Sequence, residues 1–161
     1  DFVDEIRRHG DPVRVLFLTN NVDGAARSRL ERSGVTVGTA SPEQMPEWLS
    51  RCRSTFFFIR ATPSKMASCP TKLAEALAMG LPVLTGPGIG DVDEFLRREK
   101  VGVVLEDFSK ESFRRGWTAL NQLLADPEVR NRCRSAAERH LSLGYAVDLY
   151  ASAYRALAAI G

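Results

Sequence analysis

This sequence predicts an α/β domain: a doubly wound, mostly parallel sheet followed by a helical tail. Three observations carry the prediction. Short apolar runs alternate with helix-period segments from Val13 to Leu105. The run TFFFIR at Thr55–Arg60 is apolar at consecutive positions, which suits a strand covered on both faces of a parallel sheet. Beyond Glu106 the pattern turns wholly helical, with Phe113, Trp117, Leu120 and Leu124 on one face.

The elements follow in order. Residues 2–9 read as a short helix with Phe2, Ile6 and Val3 inward, stopped by Gly10-Asp11-Pro12. Val13–Thr19 is a strand, Asn20–Gly24 a turn, Ala25–Arg32 a helix closed by Ser33-Gly34, and Val35–Thr39 a second strand. Ser41-Pro42-Glu43-Gln44 opens a helix, with serine as the cap and glutamine three residues on. After Thr55–Arg60 and the loop Ala61–Cys69 come helix 70–79, strand 82–85, helix 91–98 and strand 101–105. Asp91 and Glu94 are spaced as a cap and its third residue. Gly116 weakens the next helix by about 1 kcal/mol against alanine. Asp126-Pro127 starts a helix with Val129, Cys133 and Ala137 inward, and a last helix spans Tyr145–Ile160.

Composition narrows the function. The 161 residues suffice for one domain, 1–161, with a real core. A net charge of +2, with Arg7, Arg8, Arg27, Arg29 and Arg32 interleaved among acids, argues for solvated helix faces over a nucleic-acid surface. Three unpaired-looking cysteines and two histidines leave little for a disulfide framework or a metal cluster, and point to a reducing, cytoplasmic setting. No apolar run reaches membrane-span length and no signal peptide is visible. The chain starts at Asp1, which reads as a trimmed fragment.

Ligands of such sheets bind beyond the carboxyl ends of the strands. One constellation there is Arg60–Gly80. Leu73, Ala74, Leu77 and Ala78 form an inward stripe, so Lys72 and Glu75 share the outward face with Thr71 beside them. Free amides and the dipole at this helix start make an anion site, to which Ser64, Lys65, Ser68, Thr71 and Lys72 add donors and charge. Glu75 can accept from a vicinal diol such as a ribose. Spacing alone leaves a second reading equally open: a Lys72–Glu75 surface pair worth a few tenths of a kcal/mol.

The other constellation is Thr85–Asp91 (TGPGIGD), followed by Glu106 at the end of the next strand. It imitates a dinucleotide fingerprint, but Asp91 stands where the third glycine belongs and would set a negative charge against a pyrophosphate. Gly86, Gly88 and Gly90 are better read as permitting a tight turn and close backbone approach. There is no nucleophile elbow and no P-loop. His140 and Cys69 read as structural, and Asp91 and Asp93 as caps or acids.

The stretch TPSKMASCPTKLAEALAMGLPVLTGPGIGDVDEFL resembles the donor-binding half of retaining group-1 (family 4) GT-B glycosyltransferases of the bacterial surface-polysaccharide type. VRVLFLTN, Met45-Pro46-Glu47-Trp48-Leu49, TFFFIR, DPEVRNR and Tyr154 agree with it. The resemblance implies transfer of a sugar from a nucleotide-diphosphate sugar, UDP- or GDP-linked, to an acceptor in polysaccharide or glycoconjugate synthesis. No cofactor or metal is implied, since helix dipole and basic side chains stabilise the departing diphosphate. It also implies peripheral membrane association of the full-length enzyme. Residue by residue, it places the ribose on Glu75, the diphosphate on Thr71 and Lys72, the donor sugar near Gly86, Gly88 and Gly90, and the base near Thr39 and Ala40. Arg60, Ser64 and Lys65 would lend charge.

This chain departs from the pattern twice. Ala67 stands where the family has the first glutamate of its E-x7-E pair. By the resemblance, the domain's first strand and the N-terminal acceptor domain are expected to lie outside this chain, so no catalytic residue is assigned and the isolated chain is expected to be inactive. Two other readings share the fold class: a GT-B nucleotide-sugar 2-epimerase fragment and a non-enzymatic flavodoxin-like interaction module. The last helix carries Tyr150, Tyr154, Leu157 and Ile160, which either pack on the domain or leave an apolar stripe free to form a homodimer.

Overall fold

The computed structural model describes residues 2–8, 12–59, 62–63 and 70–159. Strands and helices alternate through β5. The order is α1 (Phe2–Arg8), β1 (Val15–Leu18), α2 (Gly24–Arg32), β2 (Val35–Gly38), α3 (Met45–Ser50), β3 (Thr55–Phe57), α4 (Thr71–Ala78), β4 (Val83–Thr85), α5 (Val92–Glu99) and β5 (Gly102–Val104). The tail is α6 (Lys110–Leu124), α7 (Val129–His140) and α8 (Leu143–Ala158). Every strand pairing is parallel.

The parallel strands fall into two sheets, where the sequence predicts one. β1 pairs with β2 from Val15↔Val35 to Leu18↔Gly38. β3, β4 and β5 form the other sheet, with Thr55, Val83 and Gly102 in register. Among the described residues, β1 and β3 each keep one edge without a strand partner. In the doubly wound order 3-2-1-4-5-6 a first strand lies between the strands that correspond to β1 and β3. Helix α1 spans this break. Phe2 and Ile6 enter the cluster of Leu84, Leu105, Phe113 and Leu120, while Val3 and Val13 touch both that cluster and the one formed by Val15, Val35 and Val37. Glu5 is buried and ion-pairs with Arg8 at 3.3 Å and with Arg114 of α6 at 3.8 Å.

β4 is buried on both faces, and its alternating side chains divide the core. Val83 belongs to the larger cluster with Leu73 and Leu77 of α4, Phe95 and Leu96 of α5 and Cys133 of α7. Leu84 belongs to the cluster under α1 and α6. β3 is less covered than its sequence predicts. It ends at Phe57, and Phe56 stays partly exposed, with its ring against Phe2 and Phe58 at 5.2 and 5.7 Å.

Two helix starts differ from the sequence reading. α3 begins at Met45, not at Ser41. The Ser41 hydroxyl donates to the Glu43 carboxylate at 2.6 Å, while the Ser41 N–H donates to Gln44 Oε1 at 3.1 Å, so residues 41–44 form a separate turn. That hydroxyl holds the Glu43 carboxyl below its ordinary range. In α5 the Asp91 side chain caps nothing. Arg7 and Arg27 are also more than solvated charges. Arg7 donates to the carbonyls of Ser33, of Gly34 at 2.8 Å and of Val13 at 3.1 Å, and Arg27 to that of Val37 at 3.2 Å.

Two glycines are demanded by close approach. A Cβ on Gly102 would lie 2.5 Å from the Val83 carbonyl oxygen, and one on Gly116 would lie 2.3 Å from Leu105 Cδ2. The helix penalty at Gly116 is thus offset by letting α6 lie close on the sheet. Gly102→Ala is expected to destabilise the domain by about 1–3 kcal/mol, as overpacking does. Gly24→Ala, with open space around its Cβ, should be neutral or stabilising by about 0.5–1 kcal/mol. Urea unfolding of the two variants checks this, and equal midpoints would refute it.

Burial pushes the Cys133 thiol up to about 11, against the pull of Arg132, Arg130 and Arg134. An unfolded cysteine titrates near about 8.5. The raised folded value makes this contribution to stability complete below about 8.5 and lost as pH rises toward 11. Unfolding free energy should fall across that window more steeply in the wild type than in Cys133→Ala. Parallel pH profiles would show that Cys133 does not carry the effect.

Candidate functional site

Because β3 and β4 are parallel neighbours, the segments that leave them emerge on one side of the sheet, strand spacing being about 4.8 Å. From β3 the chain runs to α4, and from β4 it runs through the turn Gly86–Asp91 into α5. The helix start bearing Thr71 and Lys72 and the glycine turn therefore lie on adjacent strands at the carboxyl edge.

α4 forms because Thr71–Ala78 contains strong helix formers with apolar residues at helical spacing. Its buried residues are Leu73, Ala76 and Leu77. Ala74 is half-buried and Ala78 exposed, so the inward stripe is rotated toward Ala76 from the predicted one. The rotation follows from α7, which packs against α4 and places Cys133 and Ala136 in the same cluster. Thr71, Lys72 and Glu75 remain exposed on the opposite face. Pro70 is the N-cap and provides no side-chain hydrogen bond, so among the described residues no side chain caps the first-turn amides. Among the described residues no ion pair involves Lys72 or Glu75. No Lys72–Glu75 pair is formed among the described residues, and both side chains are exposed.

The turn after β4 is held from below. Ile89 is fully buried in the main cluster, and Asp93 Oδ2 accepts the Gly88 N–H at 3.0 Å. Asp93 Oδ1 and the Thr85 hydroxyl are buried with no hydrogen-bond partner among the described residues. Gly88 has φ 83° and Gly90 φ 46°, both in the left-handed region that favours glycine. Gly86 meets a different constraint: a Cβ there would lie 2.5 Å from the Phe108 ring. Phe108, which follows β5, is partly exposed and stands edge-on to Phe58 at 6.0 Å. Sequence reasoning gave Phe108 no role. A single aromatic in the acidic, serine-rich stretch after β5 carries no periodicity, and only the sheet brings it onto Gly86.

Other expected residues are placed elsewhere. Arg60, Ser64 and Lys65 lie outside the described residues, as do Ala67, Ser68 and Cys69. Thr39 is exposed and Ala40 buried, both just after β2, which pairs only with β1. The pairing of the strands does not bring them beside Glu75. Glu106 pairs with Arg115 at 2.5 Å on the surface. His140 ends α7, with Nε2 3.5 Å from Glu99 and its ring between Phe95 and Tyr145 at 5.9 and 6.0 Å, in structural contacts. A surface hollow of about 470 Å³ lies at the amino end of β5, away from the carboxyl edge. Its Arg132 is already paired with Asp126 at 2.7 Å. No helix among the described residues is long and apolar enough to cross a membrane.

Residues 25–140 match the family model described as glycosyl transferases, group 1. Among solved structures the chain is similar to WaaG, a glycosyltransferase involved in lipopolysaccharide biosynthesis. The TM-score is 0.60 at 18% identity, covering 89% of this chain and 38% of that one. The chain thus spans well under half the length of the structure it matches, and the likeness shows the fold, half of a GT-B architecture. No curated protein matches.

Proposed function

The chain belongs to the group 1 glycosyl transferases, and on that premise we propose that it is the domain that binds the nucleotide-sugar donor. The observation that carries this reading is the exposed face of α4. Lys72 and Glu75, both without ion-pair partners among the described residues, sit in the first turns of a helix whose N-cap offers no side-chain hydrogen bond. In this reading the amides and Lys72 hold the diphosphate, where the helix dipole favours anions. Glu75, one turn further, accepts from the ribose hydroxyls. The turn Gly86–Gly90 on the neighbouring strand faces the donor sugar, and the base extends toward Thr39 and Ala40.

The chemistry proposed is transfer with retained anomeric configuration. The protein's part is electrostatic: positive charge and oriented amides stabilise the diphosphate as it leaves. The acceptor-binding half and a strand joining β1 to β3 would be supplied from outside these residues. WaaG's part in lipopolysaccharide biosynthesis makes a surface glycan the proposed class of product.

Calorimetry with uridine and guanosine diphosphates tests the site. Glu75→Ala is expected to weaken binding by about 1.5–3 kcal/mol, the range for hydrogen bonds to a charged group. Lys72→Ala should weaken it by a similar amount, and Glu138→Ala, exposed on α7, should change nothing. Unchanged binding in both site variants would remove this assignment. The 161-residue chain alone is expected to show no sugar transfer. Robust turnover by it would overturn the view that the acceptor half lies elsewhere.

A further inference from the structure

A large aromatic side chain stands exposed at the carboxyl edge of the three-stranded sheet. Phe58, Gly86 and Phe108 follow β3, β4 and β5, and parallel pairing carries all three to that edge. The Phe108 ring lies against Gly86, where an added Cβ would sit 2.5 Å from its Cζ. It stands edge-on to Phe58 at 6.0 Å. Even so seated, Phe108 is 47% accessible. The core beneath it is already filled, since Phe113 is buried against the same Phe58 at 6.1 Å.

The loop that presents this ring is tied at several points. The buried Ser112 hydroxyl accepts the N–H groups of Glu106 at 3.1 Å and of Asp107 at 3.3 Å. Asp107 Oδ1 accepts the Ser109 N–H at 2.8 Å, and the Ser109 hydroxyl caps α6 by accepting the Ser112 N–H at 3.1 Å. These bonds fix the backbone on both sides of Phe108, so little remains to be ordered on binding. The residues around it in sequence, Glu106, Asp107, Ser109, Lys110 and Glu111, are all exposed. A face covered by another protein segment is depleted of charge at its centre. Here a single ring stands in a charged and hydroxylated run. That composition fits a carbohydrate. The negative face of the ring attracts the polarised C–H bonds on one side of a pyranose, and carboxylates nearby accept its hydroxyls.

We propose that Phe108 is a sugar-stacking residue of the donor site, a platform for the apolar face of the donor's pyranose ring. This rests on the reading of α4 as the grip on diphosphate and ribose and of the glycine turn as the loop that faces the sugar. Gly86 opens that turn and Phe108 lies on it, so the platform adjoins the place assigned to the sugar. Glycine at 86 thereby has a second duty, because a side chain there would displace the ring. Stacking leaves the diphosphate contacts untouched. Phe108 governs how firmly the sugar is held, and α4 governs whether the nucleotide binds.

Calorimetry on the 161-residue chain separates the two readings. Uridine diphosphate is compared with UDP-glucose, UDP-galactose and UDP-N-acetylglucosamine, and guanosine diphosphate with GDP-mannose. At least one sugar nucleotide is expected to bind more tightly than its own diphosphate. Phe108→Ala should weaken that sugar nucleotide about threefold to tenfold, the scale of one aromatic contact, and leave the diphosphate unchanged. Phe108→Tyr should keep the affinity for both. Diphosphate binding that ignores Glu75→Ala and Lys72→Ala overturns the donor-site reading and this proposal with it. Diphosphate binding that depends on those residues, with no gain from any of the sugars or with a gain that survives Phe108→Ala, overturns the proposal alone and assigns the ring to a contact with the rest of the enzyme. An equal loss for diphosphate and sugar nucleotide in Phe108→Ala overturns it too, and marks the ring as structural.

Discussion

The burial of β4 on both faces is the constraint on which the rest of this domain depends. Val83, Leu84 and Thr85 are completely inaccessible, paired on one side with β3 and on the other with β5. Their side chains alternate between two helical layers, so this short strand joins two cores that otherwise share few residues. A strand so placed can leave no space unused. Glycine at 102 admits the Val83 carbonyl, and glycine at 116 admits Leu105 and, through it, α6. Residues that look like weak points in a propensity table are thus conditions of close packing.

The same arrangement positions the site. Once β3 and β4 are fixed side by side, α4 and the glycine turn must leave from one edge. α4 is turned so that α7 covers Leu73, Ala76 and Leu77, and what remains outward is Thr71, Lys72 and Glu75. The turn is fastened by Ile89 below and by Asp93 on the Gly88 amide. The elements that carry the proposed chemistry are anchored through apolar residues that do none of it, and the polar face is exposed because the apolar one is turned into the core.

The two ends of the chain behave differently from its middle. At the start, α1 is tied by Phe2, Ile6, the Glu5–Arg114 pair and the three carbonyls held by Arg7, so it bridges two sheets that do not pair with each other. At the other end, α8 adds no buried residue to the body and carries its apolar stripe outward. One end closes an internal break. The other leaves apolar residues exposed among the described residues.

Much was legible in the sequence because it depends on local pattern. The alternation of strands and helices, the parallel class and the one-face helices of the tail follow from periodicity, and Lys72 and Glu75 fall on an exposed face by spacing alone. Family membership was readable from the loop-and-helix motif around PTKLAEALAMG. What local pattern could not fix was anything that needs a distant neighbour. The rotation of α4 toward Ala76 depends on α7, and the need for Gly102 depends on the Val83 carbonyl. The contact of Phe108 with Gly86 and the use of Asp93 in place of Asp91 depend on how the turn lies on the sheet. The division of the sheet between β1 and β3 likewise belongs to strand pairing, which no window of sequence contains. The sequence by itself determined which segments are strands and helices and which face of each is apolar. Only the tertiary structure decided which apolar faces meet, because backbone and side chains far apart in the chain compete for the same close-packed space.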